Sequence, residues 1–272
     1  MRSIRGLARL RMISDRSSAA VSAPVARYLG VDVTETLPRR RLLVVAPHPD
    51  DEVLACGATM ARATDLGAEV LLAMTTNGVY GDYSGSYVEM AKLRRSELFE
   101  ASNVLGLSGE DVTCLGFDDL TLVEREDELA SSLERLVQEF NPEVVLTPSA
   151  WDLHGDHAAL GRAARRVLAP LAIDHLEFAV WGWIQPPRVA ADLLREGLAG
   201  HGFGLPAGRP RLVRTDGYLS RKANALSCYA SQFAPSTVSL GLSPGGWGLL
   251  DDRFVRHFLR SEEVFFPAPR RH

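Results

Sequence analysis

Three histidines and four aspartates in two short clusters carry most of the chemistry this chain could do: His48-Pro49-Asp50-Asp51-Glu52, and Asp152-Leu153-His154-Gly155-Asp156-His157. His48 and Asp51 offer a nitrogen and an oxygen ligand three residues apart, a pairing suited to a divalent metal such as zinc. Asp50, between them, can point elsewhere and serve as a base on metal-bound water. The plain alternative is that one aspartate caps a helix and the other is exposed, but capping needs neither the histidine nor a second acid. His154-x-Asp156-His157 alone would be a loop cluster of no assigned meaning. Joined to the first cluster it completes a three-residue metal site with an open position, the arrangement of catalytic rather than structural zinc.

The joining follows from the elements that must hold these residues. Leu42 to Ala46 is a short, continuous apolar run, the mark of a strand buried on both faces in a parallel sheet. Pro47 and Pro49 stop it and force a turn. Val53, Leu54, Gly57, Met60 and Ala61 then recur at helical spacing, with Asp50 and Asp51 at the positive end of the new helix. The rhythm continues: strands over 69–76, 111–117, 143–147 and 176–183, with helices over 88–105, closed by Gly106, 127–140 and 158–168. This predicts an α/β fold, a doubly wound, mostly parallel sheet ordered 3-2-1-4-5 with helices on both faces. In that order strands one and four are neighbours at the topological switch point, and the turns after those two strands carry the two His/Asp clusters. Residues a hundred positions apart should therefore meet in one crevice.

At 272 residues and 46 % hydrophobic, the chain can bury a full core. Residues 41–272 read as a single domain, with a smaller C-terminal extension (a strand over 211–218, helices over 221–231 and 251–259), and residues 1–40 as an N-terminal extension. A net charge of −4 gives no footprint for nucleic acid. No apolar run approaches the roughly 20 residues of a membrane span. Cys56, Cys114 and Cys228 form no C-x-x-C pair and read as free thiols in a reducing, cytoplasmic setting, with Cys56 and Cys114 in the core. Tyr80, Tyr83, Tyr87, Trp181 and Trp183 should fall at the carboxyl edge of the sheet, where aromatic faces can stack on sugars. Ala234 to Gly248 reads as a surface loop rather than a flap over the site.

The HPDDE turn and the HGDH turn resemble the two signatures of the PIG-L/LmbE family of zinc-dependent de-N-acetylases. Arg94 and Glu97 resemble the family's R-x-x-E, and Gly116 to Leu122 its G-x-x-D-x-x-L segment, so the resemblance runs from about Arg41 to Ser231. It implies Zn2+, or another divalent ion such as Fe2+, held by His48, Asp51 and His157. It also implies Asp50 as general base, His154 assisting the oxyanion or the leaving amine, Asp156 orienting a histidine, and Arg94 contacting substrate. Tyr80, Tyr83 and Trp181 are candidate substrate contacts on the rim. Where some members have a carbonyl-polarising tyrosine this chain has Asp152. The expected function is a hydrolase removing an N-acyl group, most simply acetyl, from a small amino sugar or its conjugate. The competing readings are an amidase on another amide, such as a thiol conjugate, and a metal-retaining binding module. The sequence does not yield an oligomeric state. A dinucleotide-binding fold is disfavoured, since no G-x-G-x-x-G follows strand one.

Overall fold

The computed structural model describes residues 29–79, 86–184, 208–233 and 250–269. Its spine is five parallel strands: β2 (Leu42–Ala46), β3 (Val70–Thr76), β4 (Val112–Phe117), β5 (Val144–Pro148) and β6 (Asp174–Phe178), in the spatial order β4-β3-β2-β5-β6. This is the expected 3-2-1-4-5 arrangement. The continuous apolar run of β2 has a simple cause. Leu42, Val44 and Ala46 enter one core while Leu43 and Val45 enter the other, so both faces of the pleat need apolar side chains. The first core is roofed by α1 (Asp51–Asp65) and α2 (Tyr87–Leu105). The second is roofed by α3 (Glu126–Phe140) and α4 (Gly155–Leu168), whose Leu129, Leu133, Val137, Leu160 and Ala164 form the inward stripe. Gly106 closes α2 at φ 92°, a left-handed cap that suits glycine.

The sheet continues past β6 as a mixed one. Among the described residues it has eight strands in the order β1-β7-β8-β6-β5-β2-β3-β4, with β1 at Val31–Asp32, β7 at Arg211–Arg214 and β8 at Glu262–Pro267. β8 runs antiparallel to both β6 and β7, and β1 is parallel to β7. Two short helices, α5 (Leu219–Ser227) and α6 (Asp252–Phe258), complete this part. β1 and β8 have no counterpart in the sequence reading. The first is two residues long, and the second follows a helix with only the alternation of Glu263, Val264 and Phe265 to announce it.

Two expectations are corrected here. Strand five was expected to run to Trp183, but β6 ends at Phe178 and Trp181–Ile184 form a 3-10 turn. The cause is Asp152, whose Oδ2 accepts from the amide of Val180 at 2.9 Å and lies 3.4 Å from that of Gly182, pulling the chain out of the ladder. Cys114 is exposed rather than core, because β4 is the sheet's outer strand, whereas Cys56 is fully buried.

A buried ion pair ties the C-terminal part to the helix that starts at the first cluster. Lys222 Nζ on α5 lies 2.8 Å from Glu263 Oε1, and both side chains are almost wholly buried. The same carboxylate accepts from Ala58 N, Thr59 N and Thr59 Oγ1 on α1 at 2.6–2.8 Å. Removing Glu263 therefore strands a buried ammonium and two amides, whereas Lys222→Met leaves the carboxylate three donors. Glu263→Ala should cost about 3–5 kcal/mol of unfolding free energy in a denaturant titration, and Lys222→Met markedly less.

A half-buried histidine on β6 gives a pH prediction. His175 Nε2 lies 2.8 Å from Thr147 Oγ1. Burial, with Arg165 nearby, pushes the imidazole down to about 3. The unfolded chain therefore binds the extra proton first, and stability present above about pH 6.5 is lost as pH falls toward 3. The slope contributed is at most about 1.4 kcal/mol per pH unit. His175→Asn should flatten this part of a stability–pH profile.

Candidate metal centre

The two His/Asp clusters meet. β2 and β5 are adjacent, so the turn Pro47–Asp50 and the loop Ser149–His154 share one end of the sheet. His48 Nδ1, Asp51 Oδ2 and His157 Nε2 form a triangle with edges of 3.1, 3.1 and 3.3 Å. Donors about 2.0–2.1 Å from a tetrahedral ion lie about 3.3 Å apart, so one triangular face of a zinc-sized tetrahedron is already built. His157 is wholly buried, at the start of α4. One turn on, Gly161 lets α4 seat against the β5 loop, since a Cβ there would lie 2.7 Å from Ala150 Cα.

The surroundings fix how each donor is presented. His48 Nε2 faces Asp156 Oδ2 at 3.2 Å in hydrogen-bonding geometry, with Asp119 Oδ1 at 2.9 Å. A proton on Nε2 leaves the Nδ1 lone pair free toward the triangle, as carboxylate partners do for metal-binding histidines. Burial works against charge on His48, yet Asp119, Asp156 and Asp51 raise its pKa well above the ordinary value. Burial likewise opposes charge on Asp51, but His157 and His48 hold it below the usual carboxylate range. The residues present thus fit a divalent cation: two nitrogens and one oxygen at ligand spacing, inside a ring of acids that draws positive charge. Two broader donor sets, His48/His154/His157 and His48/Asp119/Asp156, have atoms within 4.8 Å of one another but surround the tighter triangle.

Asp50 stands beside the triangle on a strained backbone. Its φ is 120°, outside the region a non-glycine residue ordinarily adopts, and its side chain makes no cap bond to α1. The capping alternative therefore fails. The turn is held from three sides: Asp50 N donates to Glu52 Oε2 at 3.0 Å, Tyr229 donates to Glu52 Oε1, and Arg94 donates to the Pro49 carbonyl. Gly78 permits this, because a Cβ there would sit 2.8 Å from Pro49 and 3.0 Å from Arg94. Burial raises the Asp50 carboxyl well above its ordinary pKa; Arg94 opposes this and Asp51 and Glu52 reinforce it. Burial also lifts Glu52 to about 7.

His154 heads α4. The Asp156 amide donates to its Nδ1 at 3.3 Å, so the proton of the neutral ring sits on Nε2. Burial, then the neighbouring His48 and His157, lower it to about 4. Asp156 itself accepts from Leu120 N at 2.7 Å and Leu122 N at 3.1 Å. A small cavity of about 20 Å³ opens onto His48, Asp50, Asp51, Asp119, His154 and Trp181, room for about one ion or water. A separate cavity of about 620 Å³ lies against Arg40 and Arg165 and includes none of these residues.

Of the other sequence candidates, Trp181 lines the small cavity and stacks on Phe254 at 4.8 Å, while Trp183 is core. Arg94 touches the same cavity but is almost wholly buried, committed to Pro49, with Asp50 Oδ2 at 3.4 Å and Glu97 Oε2 at 3.7 Å. Tyr80, Tyr83 and the 234–248 stretch lie outside the described residues. Asp152, in the place of the missing tyrosine, binds the amides of His154 and Val180 and lies 3.8 Å from His157 Nδ1. Sequence reasoning missed Asp119, whose signal was its match to the aspartate of G-x-x-D-x-x-L. It also missed the Glu52–Tyr229 support, which spans 177 positions and has no local signal.

Comparison with known proteins bears on this arrangement. Residues 43–168 match the family described as "PIG-L: GlcNAc-PI de-N-acetylase". A Streptomyces avermitilis protein, 1D-myo-inositol 2-acetamido-2-deoxy-alpha-D-glucopyranoside deacetylase, is 32 % identical over 210 residues, covering 64 % of this chain and 69 % of the relative. The chain belongs to the PIG-L family. A Bacillus cereus PIG-L relative, a probable N-acetyl-alpha-D-glucosaminyl L-malate deacetylase 2, is 38 % identical over 137 residues; the match covers 48 % of this chain and 61 % of that protein's length. The fold is shared with the zinc-inhibited form of teicoplanin deacetylase Orf2, at a TM-score of 0.62 and 21 % identity over 85 % of this chain and 98 % of that one. Among the described residues no helix is long and apolar enough to cross a membrane.

Proposed function

We propose that this PIG-L family chain is a metal-dependent hydrolase that removes an N-acetyl group from a small amino sugar or amino-sugar conjugate. The observation that carries this is the triangle of His48 Nδ1, Asp51 Oδ2 and His157 Nε2 with the buried Asp50 carboxyl beside it. Those three residues would hold Zn2+, or another divalent ion such as Fe2+. Bound there, such an ion supplies Lewis-acid polarisation of an amide carbonyl and makes water acidic enough to lose a proton near neutral pH.

The chain's own groups do the rest. Asp50, held at φ 120° by Glu52 and Arg94, takes the proton of the attacking water. Its raised pKa suits it to keep that proton until the C–N bond breaks and then to return it to the departing amine. His154, neutral with its proton on Nε2, is a hydrogen-bond donor to the developing oxyanion rather than a source of a proton. Asp156 and Asp119 keep the His48 ring oriented. Arg94 acts through the turn it clamps, and Trp181 offers an aromatic face to the sugar. The three cysteines, all free, favour a reducing cytoplasmic setting.

The test pairs elemental analysis with amine release from N-acetylglucosamine and its glycosides before and after chelation. One ion per chain and chelator-sensitive release support the reading. Bound metal without release from any amino sugar points to other amides, such as thiol conjugates. Full amidase activity in metal-free protein would sink the scheme.

A further inference from the structure

The two imidazoles of the triangle are not held alike. His48 has Asp119 and Asp156 behind its Nε2. His157 has no bond at its second nitrogen: Nδ1 is buried and without a hydrogen-bond partner, the one imidazole nitrogen in that condition among the described residues. If Nε2 gives its lone pair to an ion, the ring proton must sit on Nδ1, and a buried N–H without an acceptor is costly.

An acceptor stands close by. Asp152 Oδ2 lies 3.8 Å from His157 Nδ1, and neither side chain has exposed surface. That separation is longer than a hydrogen bond. It suits the tautomer with the proton on Nε2, which faces Asp51 Oδ2 at 3.1 Å, because a bare Nδ1 then meets a carboxylate lone pair to lone pair. With the proton moved to Nδ1 the same contact turns from repulsive to a charge-assisted bond. Asp152 is fixed where it can make that bond. Its Oδ1 accepts from the His154 amide at 3.2 Å, while its Oδ2 accepts from the Val180 amide at 2.9 Å and lies 3.4 Å from that of Gly182. Gly182 keeps the two loops together, since a Cβ there would lie 2.6 Å from the Trp151 ring. Held from the β5 loop and from the turn after β6, the carboxylate is preorganised beside the ring.

We propose that Asp152 is a positioning residue for the metal centre. It accepts the Nδ1 proton of His157, fixes the tautomer that offers Nε2 to the ion, and does for His157 what Asp119 and Asp156 do for His48. The residue that stands where some family members have a carbonyl-polarising tyrosine thus acts on a ligand rather than on the substrate. This inference rests on the metal-site reading above.

The test uses the full chain, stripped and then reloaded. Competition calorimetry should show Asp152→Asn binding Zn2+ about 10–100-fold more weakly than the wild type, the usual cost of losing a group that orients a ligand. Affinity also falls if the two loops merely part, so a spectroscopic signature decides. Proton NMR of the Co2+-loaded wild type should show two solvent-exchangeable imidazole N–H signals displaced by the paramagnetic ion, one from His48 Nε2 and one from His157 Nδ1. In Asp152→Asn the second should move or exchange away while the first stays. A wild type with only one such signal overturns the proposal without any variant, which keeps the test decisive if Asp152→Asn fails to fold. A variant that keeps both signals in place, or that binds Zn2+ within about twofold of the wild type, overturns it too, and one ion per chain in the wild type then leaves the metal-site reading standing. A wild type that takes up neither Zn2+ nor Co2+ overturns the metal-site reading itself, and this inference with it.

Discussion

Asp50→Asn should lower kcat about 10³-fold while one metal ion per chain stays bound, within the range that positioned proton transfer supplies. Asparagine has the shape of aspartate but no carboxylate to accept a proton from water. It also tolerates positive φ better than most residues, so the turn at φ 120° is kept. The bonds that clamp the turn survive, because Glu52 holds the Asp50 amide rather than its side chain and Arg94 holds the Pro49 carbonyl. The triangle donors are untouched. Steady-state kinetics with elemental analysis of the same sample is the check. A variant within tenfold of wild type would remove Asp50 as the base, and a variant without metal would mean that the carboxylate helps to hold the ion.

His157→Ala should abolish metal retention, and turnover with it. The ring is wholly buried and supplies one corner of the triangle, 3.1 Å from Asp51 Oδ2 and 3.3 Å from His48 Nδ1. Removing a group that merely orients a ligand costs about 10–100-fold in metal affinity, so losing a ligand should exceed about 100-fold. The variant also leaves a void against β5, so a loss of activity alone proves little. The discriminating readout is thermal: the wild type's midpoint should rise as Zn2+ is added to stripped protein, whereas that of the variant should not move. A variant that still gains stability from Zn2+ would transfer the ion to the His48/Asp119/Asp156 set.

How much of this was legible in the sequence depended on where the information was stored. β2 and the turn after it were readable because a two-sided apolar run and two prolines are local signals. The meeting of the two clusters was readable because strand order in a doubly wound sheet follows from a few chirality and adjacency rules. The ending of β6 was not. It depends on Asp152, some thirty positions earlier, capturing the Val180 amide, and nothing in the sequence near Val180 announces that. Arg94 was legible as part of a motif but not as the clamp on Pro49, since an arginine's partner is a matter of three-dimensional reach. Glu263 lay at the weakest end of the pattern, and its importance comes wholly from the α1 amides and the ammonium it meets. Local periodicity gave the scaffold, and the long-range hydrogen bonds that trim it had to be seen.

Asp156 has a consequence for dynamics. One carboxylate grips the His48 ring with one oxygen and, across both oxygens, the amides of Leu120 and Leu122. Anything that stills the imidazole therefore stills a surface loop more than thirty residues away in sequence. Loading the centre with a divalent ion should slow hydrogen–deuterium exchange at those two amides. The order of the loop through Leu120 and Leu122 is set by what sits in the polar hollow beside it.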